Sequence, residues 1–234
     1  MFLKNISARW AQLASQCQVC QSWPAQPLCE ACISRFAQPQ PRCNTCALPL
    51  PAGLTQCGAC LKNPPPLDAC LAALPYAFPW SSLIARFKFR DDPALAHSFA
   101  ALLHATPWVD PALEAASWVL PMPLSGQRLR ERGYNQALLL ARALQTHKTR
   151  ADLLLRIKDT PAQHTLERAQ RLHGQKDSFA VEPLLAQQIQ GARLILLDDV
   201  MTTGATLHAA ARVLRAAGAA HVSALVLART ELAN

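Results

Sequence analysis

Thirteen consecutive residues, Leu194 to Thr206, concentrate the chain's chemistry: LILLDDVMTTGAT. Four large aliphatic residues run into two adjacent carboxylates, Asp198 and Asp199, and then come Thr202, Thr203, Gly204, Ala205 and Thr206. An apolar run that does not alternate is expected to be a strand buried on both faces. In sheets wrapped by helices, ligands sit beyond the carboxyl ends of the strands, where both Asp side chains fall. A helix expected to begin near Thr206 turns free N–H groups, hydroxyls and the positive end of its dipole toward the same edge, and that is a seat for phosphate. Gly204 has no Cβ to block the phosphate. The carboxylates would repel a phosphate, but they can accept hydrogen bonds from sugar hydroxyls, with or without Mg²⁺ nearby. Phosphate on one side and diol acceptors on the other define a ribose 5-phosphate site.

A second chemistry lies near the start. Eight of the nine cysteines form four Cys-x-x-Cys pairs: Cys17/Cys20, Cys29/Cys32, Cys43/Cys46 and Cys57/Cys60. Two thiolates on a tight turn can take one side of a tetrahedral ion and a second pair the other, so two structural Zn²⁺ ions account for the spacing. Redox-active pairs and disulfides are the rival readings. Four pairs can combine in three ways, and the spacing does not choose between tandem ribbons and a cross-braced arrangement. Cys70 stands apart in apolar surroundings and reads as a buried structural thiol.

The elements that must hold these groups follow from periodicity. Residues 1–16 carry apolar side chains at helical spacing and predict an amphipathic helix, docked on the body or lying at a membrane surface. Residues 17–62 lack long periodic runs, so metal must supply their folding free energy. Asn63–Pro66, NPPP, marks a boundary, and residues 67–234 form the main domain. There, CLAALPYAF, SWVLPMP, DLLLRI, ARLILLDDV and HVSALVLA predict strands. Between them WSSLIARFKF, DPALAHSFAALLHA, NQALLLARALQTH and ATLHAAARVLRAAG predict helices, the second capped by Asp92 with Pro93 at its first position. Residues 158–180 predict a polar loop or hairpin with one helical turn. The alternation implies an α/β fold, a mostly parallel sheet with helices on both faces, preceded by a small Cys-rich zinc-ribbon region.

Composition narrows the classes. Half the residues are hydrophobic and 16% are charged, which excludes a disordered chain. No apolar run approaches a transmembrane span, and the opening residues lack a signal peptide's apolar core. A cytoplasmic protein is expected, with peripheral attachment at the inner face of the membrane as the variant. The net charge is +8, and residues 126–176 hold eleven Lys/Arg against four Asp/Glu. Such a stretch attracts phosphates on nucleotides, nucleic acid or lipid. The seven histidines have no ligand spacing.

LILLDDVMTTGAT resembles the phosphoribosyl pyrophosphate (PRPP) signature of type I phosphoribosyltransferases at all thirteen positions. The order of Cys pairs, FKF at Phe87–Phe89, RLRERGYNQA at Arg128–Ala137 and the signature is similar to that of the ComF family of competence-associated proteins, over roughly residues 17–230. The resemblance implies a double zinc ribbon followed by a phosphoribosyltransferase-type domain, and a role in bringing single-stranded DNA into the cytoplasm. It implies that Asp198 and Asp199 hold the ribose hydroxyls of Mg²⁺-bound PRPP and that Thr202, Thr203, Gly204, Ala205 and Thr206 hold its 5-phosphate. Arg130, Arg132, Asn135 and Gln136 match R-x-R-G-[FY]-N-Q and are the pyrophosphate-loop candidates. Gly133 serves that loop's backbone, and Lys88 is a further basic candidate. Arg156, Thr160, Gln163, Leu166, Arg171 and Phe179 fit the family's mobile loop, and Gly174 stands where the family usually has Asn. No side chain is assigned as catalytic acid or base. Two further readings remain: a non-catalytic PRPP sensor that grips single-stranded DNA, with Trp80, Phe87, Phe89 and Tyr134 for stacking, and zinc ribbons that dock a DNA-uptake motor or helicase.

Overall fold

The computed structural model describes residues 15–23, 25–89, 92–157 and 178–231. The expected N-terminal helix lies, over residues 1–14, outside them. The chain divides into two compact units, Met1–Gln38 and Pro39–Asn234.

The first unit is a Cys-knuckle followed by a short helix. Ser15 and Ala25 pair as an antiparallel bridge, with N–H to O distances of 2.8 and 2.7 Å. Between them the chain turns at Cys17–Cys20, closed by Gln21 N–H to Cys17 O at 2.9 Å. Helix α1 spans Glu30–Phe36 with Cys29 at its N-cap, so Cys29 and Cys32 face back toward the turn.

The second unit opens with the same construction. Ala47 N–H donates to Cys43 O at 2.8 Å, and helix α2, Gly58–Lys62, has Cys57 at its N-cap. This ribbon is tied to the main sheet and its core: Asn44 O accepts from Cys70 N–H at 2.7 Å, and Cys43, Cys46 and Cys60 belong to the apolar core. These bonds explain why the compact division falls between Gln38 and Pro39, ahead of the second Cys group.

The main sheet has four parallel strands, β1 (Ala69–Pro75), β2 (Trp118–Pro121), β5 (Arg193–Met201) and β6 (His221–Arg229), in the order β1-β6-β5-β2. The expected DLLLRI strand is not among them. It forms β3 (Leu154–Arg156), paired antiparallel with β4 (Phe179–Val181) in a separate ribbon. Its three paired residues are too few to complete a sheet layer.

Helices α3 (Trp80–Phe89), α4 (Leu95–His104) and α5 (Val109–Ala115) connect β1 to β2, and α8 (Ala205–Ala216) connects β5 to β6. The two crossovers run in opposite directions across the sheet, so right-handed connections place them on opposite faces. Helices α6 (Gly126–Arg132) and α7 (Gln136–Gln145) follow β2, and α7 packs on α4, β2 and β5. Helix α4 starts at Leu95 rather than at Pro93. Asp92 does not cap it by its side chain; its carboxylate takes Arg86 Nη2 at 2.7 Å instead.

Leu194, Ile195, Leu196 and Leu197 of β5 are all buried, as a strand covered on both faces requires. The sheet therefore delivers Asp198 and Asp199 to its carboxyl edge from a central strand.

Candidate functional site

A cleft of about 360 Å³ opens at that edge. Its lining takes in Asp198, Asp199 and the whole Thr202–Thr206 loop, together with Lys88, Phe89, Tyr76, Arg128, Arg132 and Arg156. Segments far apart in sequence thus meet where β5 ends.

Each side chain is held for a physical reason. Gly204 is the N-cap of α8, at φ +81°, a left-handed conformation that suits glycine. A Cβ there would lie 2.4 Å from Met201 Cε and 2.9 Å from His208 Nε2. The expected helix start near Thr206 is met within one residue, at Ala205. Asp199 is buried and pairs with Lys88 Nζ at 2.9 Å, while its N–H donates to Asp198 Oδ1 at 2.9 Å. Burial, and next the charge of Asp199, push the Asp198 carboxyl up to about 7, against the pull of Lys88.

The RLRERGYNQ segment separates into two roles. Arg128 and Arg132, one helical turn apart on α6, line the cleft. Arg130 points elsewhere and is not in the lining: two residues along a helix is a rotation of about 200°. Asn135, although it lines the cleft, is a cap. It accepts from Leu138 N–H at 3.2 Å and donates to Met122 O at 3.0 Å. Gln136 is 1% exposed; it accepts from Arg132 Nη1 at 3.1 Å and donates to Lys88 O at 3.3 Å. Tyr134 Oη donates to Phe87 O at 2.5 Å, and the Arg132 guanidinium stands 4.9 Å from the centroid of the Phe89 ring. The FKF and RGYNQ segments are therefore one assembly, and Gln136 aims the two cations that flank Asp199.

Arg156 lines the cleft from the tip of β3, 5.4 Å from the ring of Phe179, its partner on β4. Thr160, Gln163, Leu166, Arg171 and Gly174 lie outside the described residues. Two expected stacking platforms are lost, since Trp80 and Phe87 are fully buried in the core. Phe89 and Tyr76 remain exposed at the cleft.

Two residues lining the cleft were missed by sequence reasoning. Arg128 was legible as the i−4 partner of Arg132. Tyr76 has no sequence signal.

The cysteines fall into two groups, Cys17/Cys20/Cys29/Cys32 and Cys43/Cys46/Cys57/Cys60, with the four sulfurs of each within 4.8 Å of one another. The pairing is sequential. Cys17–Cys32, Cys20–Cys29 and Cys46–Cys57 sulfurs are 3.9, 3.7 and 3.7 Å apart. Four sulfurs about 2.3 Å from a tetrahedral Zn²⁺ would be about 3.8 Å apart, whereas a disulfide needs about 2.05 Å. In each group the amide of the third cysteine donates to the sulfur of the first, at 3.5 Å (Cys29 to Cys17) and 3.4 Å (Cys57 to Cys43). Both donor sets fit a structural zinc ion. Cys70 is a separate buried thiol, 3.6 Å from Met201 Sδ.

Among the described residues, no helix is long and apolar enough to cross a membrane. The phosphoribosyl transferase domain family matches residues 133–231. The chain is 30% identical to the DNA utilization protein YhgH of Escherichia coli O6:H1, over 87% of this chain and 90% of that one. It is 32% identical to competence protein F of Haemophilus influenzae, over 86% and 90%. Identity to competence protein ComFC of Bacillus subtilis is 38%, over 63% and 58%.

Proposed function

The chain belongs to the ComF family, with a phosphoribosyltransferase-type domain, and on that basis we propose that its cleft binds PRPP with Mg²⁺ and that the protein serves the handling of single-stranded DNA in uptake or utilisation. One observation carries the binding reading: adjacent carboxylates, a glycine-centred helix start and two arginines on one helix face line a single cleft. The loop amides at Thr202–Thr206 would take the 5-phosphate, Asp198 and Asp199 the ribose hydroxyls, and Arg128 and Arg132 the pyrophosphate. Mg²⁺ bound with PRPP would neutralise pyrophosphate charge. In a transfer, departing pyrophosphate leaves positive charge on the sugar; the arginines hold the leaving group while the carboxylates fix the ribose. The names of the relatives support the DNA role.

Calorimetric titration of PRPP with Mg²⁺ tests the binding. Arg128→Ala and Arg132→Ala should each weaken it at least about tenfold, the cost of a charge-assisted contact of roughly 1.5–3 kcal/mol. Arg130→Ala should leave it within about twofold. Equal losses at all three positions would point to a diffuse basic surface and defeat the assignment.

Gly204→Ala should cost about 1–3 kcal/mol of loop strain and lower PRPP affinity about tenfold or more. Unchanged affinity would mean that the loop does not hold the phosphate.

A second reading, a PRPP sensor without transfer, is favoured by Phe89 and Tyr76, which give a single strand two exposed faces at the cleft. It predicts PRPP binding without pyrophosphate release with any nucleobase, and DNA affinity that drops on Phe89→Ala.

A further inference from the structure

Arg229, the last residue of β6, is 2% exposed. Its Nε donates to Cys46 O at 2.8 Å. Its Nη1 donates to Met201 O at 3.0 Å, to Thr230 O at 2.7 Å and to Thr202 O. One planar guanidinium thus joins the second Cys knuckle to the first residues of the Thr202–Thr206 loop. We propose that Arg229 is a positioning residue that couples metal loading of the second four-thiolate site to phosphate binding in the cleft. The proposal rests on the reading of that loop as a 5-phosphate seat.

Two physical features support it. The first is directional. In a trans peptide the C=O and the following N–H point oppositely. Holding Met201 O and Thr202 O on Arg229 therefore turns the Thr202 and Thr203 N–H groups away from it, and both residues line the cleft. Arg229 sets the orientation of the amides that an anion needs.

The second is charge. A buried guanidinium calls for a nearby negative charge, yet among the described residues no carboxylate forms an ion pair with Arg229. Its neighbour is the Cys43/Cys46/Cys57/Cys60 group, which carries a net charge of about −2 when four thiolates hold one Zn²⁺. A loaded site therefore favours the seated Arg229 by charge attraction, and a seated Arg229 favours the ordered loop. Linkage makes the effect reciprocal: phosphate in the loop must tighten the metal.

The test uses the full-length zinc-loaded protein with ribose 5-phosphate and pyrophosphate as separate probes. In the wild type, ribose 5-phosphate should slow chelator extraction of one of the two zinc ions at least about threefold and leave the other unchanged. Extraction from Cys32→Ser protein identifies the protected ion as the second-site one. Arg229→Lys keeps the charge and loses the fork. It should weaken ribose 5-phosphate about tenfold, leave pyrophosphate within about twofold and abolish the protection. A merely structural arginine would weaken both probes together. Normal ribose 5-phosphate binding by Arg229→Lys, or wild-type extraction rates unaffected by ribose 5-phosphate, would overturn the coupling alone. Failure of the wild type to bind ribose 5-phosphate or PRPP at all would overturn the cleft assignment, and the coupling with it. The wild-type protection measurement decides the matter even if the variant does not fold.

Discussion

Asp198→Asn should make the ligand-free protein more stable at pH 8 while destroying its affinity for PRPP. The native carboxyl is pushed up to about 7 by burial and by Asp199, whereas an unfolded chain's Asp titrates near 3.9. The native state therefore binds the proton more tightly. The stability contributed by this group is complete below about pH 4 and is lost as pH rises through 7. Asn has no proton to lose. The variant's advantage should be small at pH 5 and reach about 1–2 kcal/mol at pH 8, since Asp198 opens in part onto cleft water and is screened. Thermal melts at the two pH values measure it. Asp199→Asn should behave oppositely. It strips the 2.9 Å partner from Lys88, whose side chain is only 16% exposed, and so lowers stability at both pH values. PRPP affinity should fall at least about tenfold in both variants. If Asp198→Asn melts lower than the wild type at pH 8, the pair is structural, and its role as a ribose clamp loses its energetic signature.

The second large effect concerns the two Cys groups, which should not be equivalent. Cys60→Ser should lower the main melting transition by more than about 10 °C, and Cys32→Ser should move it by less than about 2 °C. Each variant should lose one zinc ion per chain, read by metal analysis. Cys60 lies in one buried cluster with Leu120, Leu194 and Leu196 of the central sheet, while Cys32 belongs to the separate Met1–Gln38 unit. Equal shifts from the two variants would contradict this division.

The placement of Leu194–Thr206 was legible because strand, carboxylates and loop are contiguous, so local periodicity fixes their geometry. The sulfurs were legible as ligands, but their pairing was not. Spacing along a chain does not say which turns meet, and the sequential choice depends on the Ser15–Ala25 and Arg42–Pro49 bridges that close each knuckle. The motif, read linearly, selects Arg130, while the helix face selects residues one turn apart, Arg128 and Arg132. Gln136 looked like a ligand contact, yet its amide is spent on Arg132 and Lys88 O. The exposure of Phe89 and burial of Phe87, two residues apart on α3, follow from packing against α4 and could not be assigned from composition.

The bond from Cys70 N–H to Asn44 O bears on solubility as well as on structure. β1 is the outermost strand of the sheet on its side, and its amides turned away from β6 would otherwise offer a template to any passing strand. The knuckle carbonyl occupies that position. The opposite edge is closed by the Val119–Thr149 bridge and by Arg150 N–H on Val119 O, 3.0 Å away, both made by covalently continuous chain that needs no metal. Among the described residues, one border of the sheet is thus covered by a Cys group that fits zinc and the other is not. A cell starved of the ion would uncover a sticky margin on the β1 side alone, so aggregates formed under chelation should grow by strand addition there and dissolve poorly when zinc is returned.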